Sequence, residues 1–240
     1  MKDGTDQSVS KSLGVLQMAN ATDQGVEASG RGTLWAARRE EILTHAARLF
    51  AERGYSETDT TLLAETVGVG KGTIYRYFRS KRELFLAAAD RVMRMLRESV
   101  DEKIAPINDP MERITIAIRA FLAFFDEHPA FVELLMQERA HFKDRTRPTF
   151  MEHREVNIAR WSAIYRELIA AGRIRDMPVE RITEVVGNLL YGTIFTNYFS
   201  GQTKPVETQA QDVIDVLFRG IATPAELERM AASNIERQSG

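Results

Sequence analysis

The feature that most constrains the fold of this chain is the spacing of its apolar residues. From Leu34 onward, apolar side chains recur three and four positions apart, and they hardly ever alternate with polar residues at a spacing of two. The first spacing places side chains on one face of an α-helix, whereas the second is the pattern of a β-strand. The chain is therefore predicted to be all-α, and because no segment repeats, a helical solenoid is not expected.

Glycine and proline residues divide this periodic region into separate helices. Gly54, Gly68 and Gly172 each follow a periodic stretch, and glycine often ends a helix because it adopts left-handed backbone without strain. Several prolines have an acidic residue two positions later, which is the pattern of a helix start. Helices are predicted at about 35–53, 60–67, 71–78, 81–104 and 148–171, with others beginning at Pro110, Pro129, Pro178 and Pro205.

Two helix starts have the capping-box pattern, in which a hydroxyl and a glutamate three positions later satisfy free amides reciprocally. Ser80 with Glu83 is predicted to open the long helix that ends near Ile104, and Thr223 with Glu226 to open a short C-terminal helix. The predicted inward stripe of the long helix consists of Leu84, Ala88, Val92, Met95, Leu96 and Ser99.

The two short helices around Gly68 predict a helix-turn-helix, whose second helix enters the major groove of DNA with its N-terminus first. Ile74 and Phe78 lie one turn apart and are expected to hold this second helix against the core. The residues left at its leading end and flanks carry donors and phenolic hydroxyls that can reach base edges and phosphates. They are Lys71, Gly72, Thr73, Tyr75 and Tyr77.

The charge distribution agrees with one local DNA-binding surface. The chain has a net charge of -2, yet residues 68–97 contain eight basic and two acidic residues, a net charge of +6, which leaves -8 for the rest. An acidic body repels DNA, so affinity is expected to be confined to the basic stretch and to fall steeply with salt. The alternative explanation of the same charges is an ordinary solvated helix face.

The segment TLLAETVGVGKGTIYRYFRSKRELF, from Thr61 to Phe85, resembles the DNA-binding signature of the TetR family of repressors, and RREEILTHAARLFAERGY before it resembles the family's first helix. One departure is Gly70, where the family usually has a serine that caps the recognition helix, and glycine is a weaker cap. The resemblance implies that Thr60 and Lys81 hold phosphates and that Tyr75 and Tyr77 contact backbone or bases. It also implies that Thr61, Lys71, Gly72 and Thr73 face base edges.

The resemblance further implies a repressor with a ligand-binding C-terminal part whose last two long helices pair with a second subunit. The homodimer is expected to form through 178–200 and 205–221 and to bind a palindromic operator in double-stranded DNA. The helix 178–200 is apolar on more than one face, and Gly187 and Gly192 permit close approach of another helix. A fully buried central helix of a monomer would have the same pattern.

Aromatic residues of the C-terminal helices are the candidates for a largely apolar effector pocket. The predicted ligand-binding residues are Phe121, Phe125, Trp161, Tyr165, Phe195 and Tyr198, with Phe124, Met136 and Met151 as further candidates and His128 or Asn197 to orient a polar group. Aromatics at helical spacing also occur in plain core, so this assignment stays open. Induction would follow if the ligand favours a spacing of the recognition helices that no longer matches the DNA.

These observations predict four segments. Residues 1–33 are rich in small polar residues without a sustained period and are expected to be a disordered arm. A helix-turn-helix domain is expected at 34–80 and a helical regulatory and dimerisation domain at 81–222. A short helix and tail are expected at 223–240.

Other classes of protein have little support in the sequence. The chain has no cysteine, no apolar run long enough to span a membrane and no signal-peptide pattern, so a cytoplasmic protein is expected. The four histidines lack metal-ligand spacing and no nucleophile elbow or phosphate loop is present, so no enzyme activity, metal or cofactor is predicted. A DNA-binding activator or architectural protein without an effector remains an alternative.

Overall fold

The computed structural model describes residues 33–201 and 204–230 of the 240-residue chain. Within these two stretches the backbone forms ten α-helices, α1 to α10, and one isolated antiparallel β-bridge between Ile174 and Ala222. The all-α prediction is confirmed. Apart from its last residue, the arm that was predicted to be disordered lies outside the described residues, as does the tail from residue 231.

The helix bounds agree closely with the pattern of glycines and prolines. None of the described helices is both long and apolar enough to cross a lipid bilayer. The structure places α1 at 33–57, α2 at Thr60–Thr66, α3 at Lys71–Tyr77, α4 at Lys81–Ile104, α5 at Pro110–Glu127, α6 at Ala130–His141, α7 at Thr149–Ala170, α8 at Val179–Ser200, α9 at Val206–Ile221 and α10 at 224–230.

The end of α1 departs from the prediction. Gly54 has a φ of +85°, the left-handed value expected at a helix end, but helical turns continue to residue 57. The backbone N–H of Tyr55 donates to Oε1 of Gln137 on α6 over 2.7 Å. The N–H and hydroxyl of Thr58 both donate to the Gly54 carbonyl, at 3.2 and 2.7 Å. Because these partners support another turn, the predicted stop at Gly54 was wrong.

The first three helices enclose a small apolar core. Phe50 of α1, Leu63 of α2, Ile74 of α3 and the adjoining Phe78 are each at most 1% exposed. Phe85, in the first turns of α4, packs edge-on against Phe50 with ring centroids 5.0 Å apart. Burying each such side chain stabilises the fold by roughly 1.5–3 kcal/mol. This core fixes α3 against α1 and α2 and joins the three-helix unit to α4.

The long helix α4 runs from the three-helix unit into the larger helical part, where it packs against α5 and α7. Four of the six residues predicted for its inward stripe are buried: Leu84, Ala88, Val92 and Leu96. The other two, Met95 and Ser99, are only half-buried. The buried face is shifted around the helix from the predicted stripe and includes Met93 and Val100.

In each of the two predicted capping boxes, the hydroxyl accepts the expected hydrogen bond, but the glutamate has a different partner. At the start of α4, the Ser80 hydroxyl accepts from the N–H of Glu83 at 3.1 Å, as predicted. The Glu83 carboxylate accepts instead from the N–H of Arg79 at 3.0 Å, one residue earlier than the pattern expects. The amide before Ser80 is thus satisfied, and the loop that follows α3 is tied to the first turn of α4.

The second predicted capping box, Thr223 with Glu226, helps to attach the C-terminal helices to the loop after α7. The Thr223 hydroxyl accepts from the N–H of Glu226 at 3.3 Å, but the Glu226 carboxylate is buried and pairs with Arg173 at 2.7 Å. Arg173 also pairs with Asp109, the N-cap of α5. The backbone N–H of Arg175 donates to the carbonyl of Ile221 at 2.7 Å. These contacts attach the end of α9 and the start of α10 to the loop after α7.

Candidate DNA interface and ligand cavity

The helix α3 is held by one side and open to solvent on the other. Ile74 is buried, whereas Lys71, Gly72 and Tyr75 are exposed, Tyr75 by 43%. Gly70 precedes the helix with extended backbone, at φ -75° and ψ 147°, and has no side chain to cap it. A Cβ placed on Gly72 would meet nothing within 4 Å among the described residues. None of residues 33–201 and 204–230 therefore obstructs the leading end of α3 at Gly72, as insertion into a DNA groove requires.

Two hydroxyls connect α2 with α3. The Thr60 hydroxyl lies 3.2 Å from the Tyr75 hydroxyl, within hydrogen-bonding distance. Thr60 itself is only 4% exposed, because it begins α2 against the core. Its predicted contact with a phosphate would require the Tyr75 side chain to move, whereas Tyr75 itself is already exposed.

Lys71 takes part in a polar network at the leading end of α3. Its Nζ donates to the Thr61 hydroxyl at 2.9 Å and lies 3.5 Å from Oδ1 of Asp59. Asp59 is the N-cap of α2 and accepts from the N–H of Thr61 at 2.8 Å. Hydrogen bonds from Thr61 are the main cause of a lowered pKa at Asp59; burial opposes them, and the charge of Lys71 adds to the lowering. Lys71 is thus positioned next to a carboxylate that stays ionised.

The other predicted residues of α3 lie on its flanks. Tyr77 is half-buried and stacks on Trp35 of α1, with ring centroids 4.5 Å apart and planes inclined by 28°. Thr73 is also half-buried, and its backbone N–H donates to the Gly70 carbonyl at 2.8 Å. Tyr77 is therefore oriented by Trp35, whose side chain is 50% exposed beside it.

Lys81 begins α4 and lies against the end of α1. Its Nζ donates to the Ser56 carbonyl at 3.0 Å and lies 4.9 Å from the centre of the Tyr55 ring. Neither contact neutralises its charge. Lys81 is thus fixed in place while its charge remains available for a phosphate.

Asp59 and Trp35 were not predicted from the sequence. Asp59 directly precedes two threonines at a helix start, which is an N-cap pattern that could have been recognised. Trp35 lies before the segment that resembles the TetR signature, and its spacing alone does not indicate contact with Tyr77.

A cavity of about 130 Å³ lies between α4, α5, α7 and α8. Of the six predicted ligand-binding residues, the structure places Phe121, Trp161 and Tyr165 on its wall. Its apolar wall also includes Leu96, Val100, Ile118 and Leu190.

The other three predicted residues do not line this cavity. Phe125 is buried and packs against Phe121 and Phe124, so it forms part of the core behind the wall. Phe195 packs edge-on against Phe150. Tyr198 is 38% exposed and donates to Oε2 of Glu133 at 2.6 Å.

The residues predicted to orient a polar group, or to extend the pocket, also lie elsewhere. His128 packs among aromatic rings of α5 and α6, and Asn197 donates to Oε1 of Gln209 at 2.7 Å. Phe124, Met136 and Met151 are likewise absent from the cavity wall. Helical periodicity identified the inward face of these helices, but it does not say which neighbour each residue meets.

Charged residues that the sequence did not single out also line the cavity. Arg97 of α4 and Arg154 and Arg160 of α7 are basic, and Asp101 of α4 is the one acidic side chain among the lining residues. Arg160 pairs with Asp101. Arg154 crosses to α8, where it donates to Oδ1 of Asn188 at 3.0 Å.

Two tyrosine hydroxyls belong to the same cavity. Burial raises the pKa of Tyr191 to about 12, and the charge of Arg154 opposes part of that rise. Burial alone raises the pKa of Tyr165. Both hydroxyls therefore stay protonated at neutral pH and can donate a hydrogen bond to a bound molecule.

Among the described residues, no cluster of three or more His, Asp or Glu side chains could hold a metal ion.

An all-α chain with a helix-turn-helix ahead of a larger helical part with an internal cavity has the architecture of a bacterial transcriptional regulator. The family model described as bacterial regulatory proteins of the tetR family matches residues 42–88, and the one described as tetracyclin repressor-like, C-terminal domain, matches residues 108–194. The two matches together cover more than half of the chain, which belongs to the TetR family of DNA-binding transcriptional regulators.

One curated relative matches this chain over about half of its own length, and another matches over nearly all of it. The uncharacterized regulator YhgD of Bacillus subtilis is 31% identical over 100 residues, which are 42% of this chain and 52% of that protein. The chain thus spans about half the length of this relative. The transcriptional repressor KstR2 of Mycolicibacterium smegmatis is 24% identical over 188 residues, which are 78% of this chain and 91% of that protein.

Solved structures share the fold. The ketosteroid regulator KstR2 of Mycobacterium tuberculosis has a TM-score of 0.58 at 22% identity and covers 78% of this chain and 95% of its own. The regulator FadR of Bacillus subtilis, solved with stearoyl-CoA, has a TM-score of 0.62 at 19% identity and covers 73% and 95%. The predicted order of a helix-turn-helix followed by a larger helical part is therefore confirmed.

Proposed function

We propose that this chain is a ligand-responsive repressor that binds a palindromic operator as a homodimer and is released from it by a small molecule. The observation that carries the proposal is the position of α4. Near its start, Phe85 is packed into the core that holds the recognition helix, and further along Leu96 and Val100 line the cavity. One rigid element therefore connects the two places where DNA and ligand would bind.

The proposed domain arrangement follows this division. Residues 34–80 form the DNA-binding domain and 81–222 the regulatory and dimerisation domain, with a short helix and tail at 223–240. The family models support the same order along the chain, one matching 42–88 and the other 108–194. Residues 1–33 are proposed to be an arm ahead of the DNA-binding domain.

The proposed DNA contacts are the eight residues that the sequence predicted. Lys71, Gly72 and Tyr75 are supported by their exposure at the open side of α3. Lys81 is supported by its fixed position and free charge. Thr60 contacts the Tyr75 hydroxyl, so its role is to orient Tyr75 unless that side chain moves. Thr61, Thr73 and Tyr77 complete the set.

The proposed dimer forms through 178–200 and 205–221. Exposed apolar side chains on these helices support it, because Phe199 of α8 is 72% exposed and Val216 of α9 is 67% exposed. Gly192 and Gly220 leave open space where a helix of a second subunit could approach. Covering such side chains is favourable in water, so two copies of this face would associate.

The proposed release mechanism is a population shift. A ligand in the cavity contacts α4, α7 and α8, and it would favour the arrangement of these helices in which it binds best. Since α4 also carries part of the recognition-helix core, a new arrangement would change the spacing of the two recognition helices in the dimer. The operator would then be bound less tightly.

The experiment that tests the proposal begins with selection of DNA from a random pool by the purified chain. We expect a palindromic consensus with half-sites about one helical turn apart. A panel of metabolites and drugs is then screened for thermal stabilisation, since a ligand of the folded state raises stability. A compound that stabilises the chain and also weakens retention of the selected DNA supports the proposal, and a selected consensus without symmetry contradicts the dimeric repressor.

A second candidate function is DNA binding without a small-molecule effector. This second function is supported by relatives that have roles other than repression. The transcriptional activator FasR of Mycolicibacterium smegmatis is 30% identical over 42% of this chain, and the nucleoid occlusion factor SlmA of Vibrio vulnificus is 30% identical over 47%. Retention of DNA that no compound in the panel changes would support this candidate instead.

A further inference from the structure

We infer that the cavity between α4, α5, α7 and α8 binds an amphipathic organic anion, with the apolar body inside and the charged head against Arg97 and Arg154. The inference rests on the proposed function in one respect, because this anion is taken to be the effector. It adds the chemical class of that effector and the side chains that recognise its charge.

The inner wall of the cavity selects an apolar body. Its surface is formed by aliphatic and aromatic side chains from four helices, including Leu96 of α4, Phe121 of α5, Trp161 of α7 and Leu190 of α8. A polar body in such a space would lose its hydrogen bonds to water without replacement, which is unfavourable. An apolar body would lose nothing and would gain contacts with this wall.

The charges around the cavity are not balanced. Arg160 is paired with Asp101, so these two charges cancel. Arg154 donates to neutral acceptors, namely Oδ1 of Asn188 at 3.0 Å and the Glu184 carbonyl at 3.3 Å. Arg97 has no hydrogen-bond or ion-pair partner among the described residues. Two guanidinium charges therefore border an apolar cavity without a carboxylate partner, and an anionic head would supply one.

A glycine in α8 leaves room for the Arg154 side chain. Gly187 lies beneath its guanidinium, and a Cβ at this position would be 2.9 Å from Nη2 and 3.0 Å from Nε of Arg154. Any other residue at 187 would force the guanidinium to shift from this position. The hydroxyl of Tyr191, one helical turn further along α8, is a second donor beside Arg154. Arg154 and Tyr191 thus supply a positive charge and a hydrogen-bond donor to a cavity whose wall is mainly apolar.

The test is isothermal titration calorimetry of the full chain with two matched sets of probes. One set is decanoate, decanol and decylammonium, and the other is phenylbutyrate, phenylbutanol and phenylbutylammonium. Within each set the apolar body is constant and only the charge of the head changes. We expect the carboxylate of at least one set to bind about tenfold more tightly than its alcohol, with the ammonium compound the weakest, because charge-assisted hydrogen bonds favour the anion.

Three variants connect that preference to the named side chains. R154Q and R97Q should each lower the carboxylate affinity by about tenfold and change the alcohol affinity by less than about twofold. R166Q is the matched control, because Arg166 is exposed on α7 and does not line the cavity. Since Arg97 is exposed and has no polar partner among the described residues, R97Q remains informative if R154Q loosens the packing of α7 against α8.

Several results would overturn the inference: no binding by either carboxylate, equal or tighter binding of the alcohol or the ammonium compound, or an equal loss of affinity in R166Q. Because the calorimetry contains no DNA, it is independent of the proposed function. If a carboxylate binds as expected but leaves DNA retention unchanged, the proposed release mechanism fails and the ligand class stands. If only neutral compounds bind and release DNA, the ligand class fails and the release mechanism stands.

Discussion

Nε2 of His153 lies 2.8 Å from Oδ1 of Asp90, so a side-chain hydrogen bond joins α7 to α4 near the start of α7. Asp90 also accepts from Nε of Arg94 at 2.9 Å, and Arg94 makes a two-pronged contact with Glu40 of α1 at 2.9 and 3.2 Å. A continuous series of polar contacts thus runs from α7 to the first helix of the DNA-binding unit. Because Arg154 follows His153 directly, the series begins next to the cavity.

The first prediction concerns the pH dependence of this contact. The hydrogen bond with His153 is the main cause of a lowered pKa at Asp90, with Arg94 adding to it and partial burial opposing it. A carboxyl whose pKa is lower in the folded state stabilises the fold above its unfolded pKa, and this contribution is lost as the pH falls through the folded pKa. The wild type should therefore lose stability below about pH 4 more steeply than D90N.

Urea unfolding followed by circular dichroism between pH 7 and pH 3, at intervals of about half a unit, measures this difference. D144N is a useful comparison, because Asp144 also has a lowered pKa but pairs with Arg82 at the surface and not with His153. Identical pH profiles for the wild type and D90N would show that the His153 contact contributes nothing to stability.

The second prediction tests the DNA interface. Y75A and K81A should each abolish retention of the selected operator in a gel at a protein concentration that fully retains it with the wild type. The reason is that each removes a group placed at the exposed side of the recognition unit, and K81A should also reduce the salt dependence of binding by about one phosphate contact. Thermal unfolding of both variants checks that the fold persists.

K103A serves as the control for K81A, since Lys103 is an exposed lysine in the last turn of the same helix. If K103A weakens DNA binding as much as K81A, general charge and not position explains the effect. Unchanged affinity in both Y75A and K81A would mean that DNA binds elsewhere.

The third prediction concerns Asp59. D59N should raise the affinity for operator DNA several-fold at low salt, because it removes a negative charge 3.5 Å from Nζ of Lys71. Asparagine caps helices about as well as aspartate, so the stability of α2 should change by less than about 0.5 kcal/mol. Fluorescence anisotropy with labelled operator at two salt concentrations gives the measurement. A fall in affinity would indicate instead that Asp59 orients Lys71 for its base contact.

The fourth prediction concerns the oligomeric state. V216E should convert the chain from a species of twice 27.2 kDa into the monomer, because a charge on the exposed face of α9 would be buried without a partner in the dimer. V156E is a closely matched control, since Val156 on α7 is 68% exposed and Val216 is 67% exposed. Light scattering after gel filtration separates the two cases. Monomeric wild type, or dissociation of both variants, would contradict the proposed interface.

The elements of the fold could be predicted well because their ends are encoded locally. Gly68 and Gly172 have φ of +67° and end their helices where expected, and Pro110 occupies the first turn of α5. Gly54 shows the limit of this approach. Its left-handed backbone did not end the helix, because the partner of the next amide comes from Gln137, which is 82 residues away in the sequence.

The cavity was predictable only in part. Helical periodicity placed Phe121 and Trp161 on inward faces, and both line it, but Tyr198 has the same spacing and contacts Glu133 instead. Arg154 could not be identified, because an arginine on a polar helix face is usually solvated. Its importance depends on the glycine opposite it on α8, which is a relationship between two helices and not a property of either sequence segment.

The contact between Tyr55 and Gln137 has a consequence for how this protein can be divided. The amide of Tyr55 takes its acceptor from α6, and the Tyr55 ring packs edge-on against Phe142, with centroids 5.0 Å apart. A fragment cut after the recognition helix would leave that amide without its acceptor and that ring uncovered. The proposed DNA-binding domain therefore cannot be exchanged as an independent unit. A chimaera that joins it to another regulatory domain must also supply the counterparts of Gln137 and Phe142.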